Sequence, residues 1–145
     1  MYSSILVPLD GSKRAEEILP HVEEMARRYE ARIIFLQVVE PPAMPSEGAT
    51  ITYGQEYETI RSLAEKYLSD LVAVFHSKKI QAEKRLENGH VVRSILRTSE
   101  SIGADVIAIA SHGRGGLTRV FYGSVAASLL QYIDGPLLLI RSKEG

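Results

Sequence analysis

The stretch Ala104–Ser124, ADVIAIASHGRGGLTRVFYGS, is the most informative part of this chain. It opens with the apolar run Val106–Ala110, whose β-branched and small residues are typical of a strand buried on both faces. A glycine-dense segment, Ser111–Gly116, follows, and Gly123-Ser124 then precedes an apolar pattern of helical spacing. A buried strand, a glycine-rich turn and a helix start favour an anion site, because glycines admit close backbone approach and the helix dipole attracts negative charge. A tight turn without a ligand is the alternative for a glycine cluster taken alone.

Outward from this stretch, apolar runs alternate with patterns of helical spacing, which indicates a parallel sheet built from βαβ units. The strands are expected at Ile5–Val7, Arg32–Val39, Ile80–Leu86, Val106–Ala110 and Pro136–Ile140. Helices are expected over Ala15–Tyr29 (kinked at Pro20), Tyr57–Phe75, Val92–Ile102 and Val125–Tyr132, and a long loop over Glu40–Gly54. The fold class is therefore α/β, a five-stranded, parallel, doubly wound sheet with helices on both faces. All 145 residues form one domain in this interpretation.

Composition limits the classes of function. Seventeen basic and eighteen acidic residues give a formal charge of −1, which argues against broad electrostatic binding to nucleic acid or to an anionic membrane. The absence of cysteine excludes thiol catalysis, disulfides and thiolate metal sites. No membrane-spanning run and no export signal are recognisable, so we expect a cytoplasmic location.

Two common phosphate motifs are absent from the sequence. The Walker pattern needs a Gly-Lys pair, which occurs nowhere in the chain. The dinucleotide pattern G-x-G-x-x-G fits Gly113 and Gly115 but meets Thr118 at its third glycine. Neither a P-loop nor a dinucleotide fingerprint is therefore expected.

What remains is the spacing Ala110-x2-Gly113-x9-Gly123-Ser124. It resembles the nucleotide signature of the ATP-binding branch of the universal stress protein family, G-x2-G-x9-G-Ser/Thr. The departure is at the first position, where Ala110 replaces glycine and brings a methyl group and a penalty for positive φ. The resemblance extends over the whole chain, through ILVPLDGS, FLQVVE, ASHGRGGLTRVFYGSVA and PLLLIR.

The resemblance implies a fold, a ligand and an assembly. It implies strand order 3-2-1-4-5, in which Pro8–Ser12 faces Ser111–Gly116 across the switch point where ligands bind. The implied cofactor is ATP, with Mg²⁺ bridging its phosphates. Family members dimerise through the last strand, and the apolar edge Leu137–Ile140 lacks the charges that usually protect an edge, so a homodimer is expected. The implied nucleotide-site residues are Pro8, Leu9, Asp10, Val38, Ile109, Ala110, His112, Gly113, Arg114, Gly115, Gly123, Ser124 and Val125.

Individual roles come from matches to the family pattern, and each has a plainer alternative. Asp10 would contact adenine or ribose, or else bind local amides as a turn carboxylate. Val38 would line the adenine pocket, or else be an ordinary buried strand residue. Gly113, Gly123 and Ser124 would hold the triphosphate, and the hydroxyl of Ser124 would also suit a helix cap. Arg114 would screen phosphate charge or simply be solvated.

The function implied is a nucleotide-responsive regulator with slow hydrolysis or none. A scaffold protein of the same fold that binds no nucleotide is the first alternative, and Ala110 is its main support. A Ser-His hydrolase is the second, although Ser111 adjoins His112 and the chain has no G-x-S-x-G elbow. No histidine has a partner at metal-ligand spacing, so no structural metal is expected.

Overall fold

The computed structural model describes residues 1–41, 50–111 and 123–143, with the backbone alone at residues 50–53. Its strands are β1 (Ser4–Leu9), β2 (Arg32–Val39), β3 (Ala82–Asn88), β4 (Val106–Ser111) and β5 (Leu137–Arg141). Its α-helices are α1 (Leu19–Tyr29), α2 (Thr50–Ser77), α3 (Val91–Ile102) and α4 (Ser124–Tyr132). A short 3₁₀ turn, Ala15–Ile18, precedes α1. None of the helices in the described ranges is both long and apolar enough to cross a membrane.

The described strands form one parallel sheet in the order β3-β2-β1-β4-β5. This confirms the predicted doubly wound topology. β1 and β4 lie in the interior of the sheet and are buried along their whole length, which explains their uninterrupted apolar character. After β1 the chain adds β2 and β3 on one side of β1, and it then crosses back to add β4 and β5 on the other side. The switch point therefore lies between β1 and β4.

β1 and β4 are held together at their amino ends and separate toward their carboxyl ends. β1 is in register with β2 along all six of its residues, but with β4 only through Ile5 and Leu6. The carboxylate of Asp105 fastens the amino ends, because its Oδ2 accepts from the backbone amides of Ser3 (2.7 Å) and Ser4 (3.0 Å). The divergence of the two strands opens a crevice at the carboxyl edge of the sheet.

Two apolar layers hold the helices to the sheet. On one face α1 and α2 pack on β1 and β2, and Phe35 meets Phe75 edge to face with ring centroids 5.0 Å apart. On the other face α3 and α4 pack around Leu6, Ile107 and Leu129, which are buried almost completely. Because both faces are covered, polar groups of different strands can meet only at the two ends of the sheet, and the crevice lies at the carboxyl end.

Several predicted boundaries differ from the structure, and three of the differences have a clear physical reason. The helix predicted over Ala15–Tyr29 is a 3₁₀ turn followed by α1, and Pro20 lies in the first turn of α1. A proline is tolerated there because the first amides of a helix have no partner within it, so no kink arises. Residues 50–54 belong to α2 although they were assigned to the loop Glu40–Gly54, and residues 42–49 of that loop lie outside the described part. β3 begins at Ala82 because the amide of Ile80 donates to the carbonyl of Phe75 (3.0 Å) and closes the end of α2.

Candidate functional site

The crevice between β1 and β4 encloses a cavity of about 110 Å³. Its described lining comes from the strand ends, from the 3₁₀ turn and from the first turns of α3 and α4. These residues are Pro8, Leu9, Asp10, Arg14, Ala15, Val91, Ile95, Ile109, Ala110, Ser111, Gly123, Ser124, Val125 and Ala126. Aliphatic side chains form most of the wall, and the charged groups come from the end of β1. An apolar pocket with a few convergent polar groups is typical of a small-molecule site.

The end of β1 turns sharply and presents a carboxylate. Gly11 has a φ of +86°, which L side chains rarely adopt, and this allows the chain to reverse directly after Asp10. Oδ1 of Asp10 accepts from the amide of Ser12 (2.9 Å), and Oγ of Ser12 accepts from the amide of Ala15 (3.1 Å). The turn thereby fixes the Asp10 side chain at the mouth of the crevice and starts the 3₁₀ turn.

Arg14 spans the gap between the two separated strands. Its Nη2 donates to Oδ2 of Asp10 (3.1 Å), and its Nη1 donates to the carbonyl of Ala110 at the end of β4 (3.2 Å). Only 20 % of the Arg14 side chain is exposed, against 56 % for Asp10. The guanidinium therefore lies inside the crevice, whereas the carboxylate reaches its mouth.

Opposing influences set the pKa of Asp10. Partial burial acts to raise the pKa, whereas hydrogen bonds from Ser12 and the positive charge of Arg14 lower it. The lowering influences prevail, so the pKa of this carboxyl lies below its usual value. Asp10 is thus an anion at neutral pH and acts as a hydrogen-bond acceptor.

The start of α4 faces the same cavity. Gly123, the residue before the helix, has φ +85° and ψ 154°, a conformation that is essentially restricted to glycine. No side-chain hydrogen bond caps this helix start within the described residues. Ser124 is the first helical residue and is exposed, so the prediction of a helix cap at Ser124 is wrong. Gly123 and Ser124 line the cavity, so the positive end of the α4 dipole lies beside it and favours an anion there.

β4 supplies the remaining wall through Ala110 and Ser111, which are 4 % and 3 % exposed. Among the described non-glycine residues only Glu30 and Lys79 have positive φ, so the backbone of Ala110 does not require glycine. Oγ of Ser111 lies 3.4 Å from the carbonyl of Ile140, and its carbonyl accepts from the amide of Ser142 (3.1 Å). A serine that is buried against β5 is poorly placed to act as a nucleophile, which disfavours Ser111 in that role.

The structure brings most of the described predicted residues to the crevice. These are Pro8, Leu9, Asp10, Ile109, Ala110, Gly123, Ser124 and Val125. Val38 is not in the described lining, because β2 lies one strand away from the gap and Val38 packs with the α3–α4 layer. His112, Gly113, Arg114 and Gly115 lie outside the described residues.

Six lining residues were absent from the predicted set: Arg14, Ala15, Val91, Ile95, Ser111 and Ala126. Arg14 had a usable signal, since it follows Asp10 by four residues at the start of a helical pattern. Val91 and Ile95 also follow from topology, because the helix after each parallel strand begins at the carboxyl edge of the sheet. The family positions matched in the sequence analysis do not include these residues, which is why the resemblance did not point to them.

The chain belongs to the universal stress protein family, because it matches that family over residues 1–141. A universal stress protein of Mycolicibacterium smegmatis is 29 % identical over 147 residues, and the chain spans 48 % of that longer protein. Universal stress protein YxiE of Bacillus subtilis is 27 % identical, with 97 % of this chain and 100 % of the relative covered.

Solved structures share the fold. Protein MJ0577 of Methanocaldococcus jannaschii superimposes with a TM-score of 0.86 at 22 % identity, covering 100 % of this chain and 99 % of the other. A universal stress protein in complex with cAMP has a TM-score of 0.66 at 16 % identity, with 98 % of both chains covered. The Archaeoglobus fulgidus protein in complex with dAMP has a TM-score of 0.64 at 20 % identity, covering 96 % of this chain and 98 % of the other. At these identities the comparison establishes the fold.

Proposed function

We propose that this protein binds ATP in the crevice between β1 and β4 and acts as a nucleotide-responsive regulator in the cytoplasm. The observation that carries the proposal is the separation of these strands, which brings a carboxylate and a glycine-started helix to one cavity. Some structural neighbours were solved with cAMP or dAMP, so adenine nucleotides suit this fold. Ala110 is compatible with the proposal because its backbone places no demand for glycine on that position.

Each part of the ligand has a complementary region in the site. Val91, Ile95 and Ile109 offer an apolar wall for the base. Asp10 accepts hydrogen bonds from the ribose hydroxyls, as acidic residues do in other doubly wound nucleotide sites. The phosphates lie at Gly123 and Ser124, where close backbone approach and the helix dipole stabilise negative charge.

Mg²⁺ would enter with the phosphates. No group of three or more potential ligand side chains that could hold a metal occurs among the described residues. In nucleotide sites generally, phosphate oxygens and water supply much of the coordination of Mg²⁺. As a regulator, the protein would hydrolyse ATP slowly or not at all.

Calorimetric titration with Mg-ATP tests the proposal through a pair of charge variants. Ser124→Asp adds a negative charge at the helix start, which suits the helix dipole but repels phosphate. Ser128→Asp adds the same charge one turn later on α4 and serves as the control. We expect the wild type to bind Mg-ATP and Ser124→Asp to bind it about tenfold or more weakly. Ser128→Asp should change the affinity by less than about twofold.

Thermal melts separate binding from folding in this experiment. Ser124→Asp should melt at or above the wild-type temperature, because an acidic residue in the first turn stabilises a helix. A wild-type protein that binds no ATP, and releases no nucleotide when the freshly purified protein is denatured, would leave the scaffold interpretation in place.

A further inference from the structure

Arg14 occupies the acceptors that a ligand in the crevice would use. Its two terminal nitrogens donate to the Asp10 carboxylate and to the Ala110 carbonyl, at 3.1 and 3.2 Å. The Ala110 carbonyl is open to Arg14 because β1 pairs with β4 only through Ile5 and Leu6. The guanidinium therefore links the ends of β1 and β4 where no hydrogen bond between the strands does so.

The position of Arg14 also places it near the phosphate end of the site. Arg14, Gly123 and Ser124 line the same cavity of about 110 Å³. That volume is small beside the roughly 300–1,000 Å³ of typical small-molecule sites. A nucleotide that used the Asp10 carboxylate would compete with Arg14 for it, and a guanidinium is well suited to pair with phosphate.

We propose that Arg14 is a partner-exchanging gate: an entering nucleotide takes Asp10 from Arg14, and the released guanidinium pairs with the phosphates. The proposal rests on the proposed nucleotide site and adds a specificity, namely phosphorylated nucleosides over free nucleosides. A nucleoside breaks the Asp10–Arg14 pair without offering Arg14 a new anionic partner. A nucleotide breaks the same pair and restores a charge-assisted contact.

This gate predicts effects of opposite sign on two ligands. In Arg14→Gln the carboxylate is no longer held, so adenosine should bind about threefold more tightly. ATP should bind about tenfold more weakly, because the cation that would meet its phosphates is gone. A residue that merely supported the fold would shift both affinities in the same direction.

The experiment is a calorimetric titration of adenosine and of Mg-ATP into the wild type, Arg14→Gln and Lys13→Gln. Lys13 precedes Arg14 and carries the same charge, but it lies against a different surface with Pro20 and His21. Lys13→Gln should change either affinity by less than about twofold. Thermal melts of all three proteins check that each is folded.

The outcomes separate the gate from the function on which it rests. The gate would be overturned if Arg14→Gln changed the affinities for adenosine and ATP equally, or if it behaved like Lys13→Gln. In either case, ATP binding by the wild type would still uphold the nucleotide site. Adenosine binding gained only in Arg14→Gln, with no ATP binding by the wild type, would overturn both, because Arg14 would then block the crevice without exchanging Asp10 for phosphate. No binding to any of the proteins overturns both.

Discussion

Asp10 and Arg14 show at the level of single residues how the end of a buried strand becomes a site. Asp10 accepts from Ser12 and Arg14, and Arg14 continues to the carbonyl of Ala110. The same contacts hold the pKa of Asp10 below its usual value against the effect of partial burial. These side chains therefore contribute both to stability and to the charge of the crevice.

Replacing Asp10 by Asn should lower the free energy of unfolding by about 0.5–1 kcal/mol at pH 7, a value kept small because the pair is partly exposed. A carboxyl whose pKa is lowered by folding contributes its full stabilisation above its unfolded pKa of about 3.9. The contribution disappears as the pH falls through the folded value. Urea unfolding at pH 7 and near pH 2 measures the effect.

Asp70→Asn is the matched control for this prediction, because Asp70 pairs with Lys66 on the surface of α2 and both side chains are largely exposed. We expect a smaller difference for the control at pH 7. An Asp10→Asn effect of equal size at both pH values would contradict a role of the ionised carboxylate.

The positions at which helices begin and strands end determine where the described polar groups converge. α4 begins directly after Gly123, whose φ of +85° and ψ of 154° set the direction from which the helix enters the sheet. α3 begins at Val91, where Nδ1 of His90 accepts from the amide of Arg93 at 3.4 Å. Both helix starts lie at the carboxyl edge, so their first turns build two walls of the cavity.

Gly123→Ala should lower the free energy of unfolding by about 1–3 kcal/mol, because an L residue is strained in this backbone conformation. Gly54→Ala is the control: Gly54 lies within α2 and a Cβ there would meet nothing within 4 Å. Gly54→Ala should raise the free energy of unfolding by about 0.5–1 kcal/mol, since alanine forms helices more readily than glycine. Chemical denaturation of both variants measures the pair, and two changes of the same sign would count against the assigned strain.

Sequence patterns predicted the elements better than their boundaries. The strands were recognisable because strands buried on both faces must be apolar throughout. Pro20 and Gly54 misled the prediction, since each breaks helices on average but is tolerated near a helix start. The spacing of Arg14 from Asp10 pointed to their ion pair, but its contact with Ala110 depends on the separation of β1 from β4, which no local pattern encodes.

At the scale of the whole molecule, topology brings distant segments together. Asp10, Ala110 and Gly123 are far apart in the sequence, yet the order 3-2-1-4-5 makes them neighbours of one cavity. The predicted order already implied this meeting point. The gap between the strands and the size of the cavity could not be predicted, because both depend on where a ladder of hydrogen bonds stops.

The open edge at β5 carries a prediction about assembly. Pro136 accepts from the amide of Ile107 and Ser142 donates to Ser111, so the even-numbered residues of this segment direct their backbone groups toward β4. The backbone groups of Leu139 therefore point to the free edge. The partly exposed leucines of β5, with Leu130 and Tyr132 exposed on α4, suit pairing with a second copy.

Leu139→Pro should convert a dimer into a folded monomer, because it removes an outward amide without breaking the ladder to β4. Leu139→Ala keeps the amide and shortens the side chain, so it should remain largely dimeric. Sedimentation at micromolar concentration should give the wild type twice the chain mass of 16.0 kDa. A wild type that sediments at the mass of a single chain would contradict the prediction.

Backbone amide resonances followed during a titration with Mg-ATP would locate a nucleotide site at the carboxyl ends of β1 and β4. We expect the largest shifts at Leu9, Asp10, Ala110, Gly123 and Ser124, which line the crevice. Amides at the opposite, amino edge of the sheet, such as those of Gln81 and Glu83, should stay unchanged. Shifts confined to that amino edge, or none at all at saturating ATP, would contradict it.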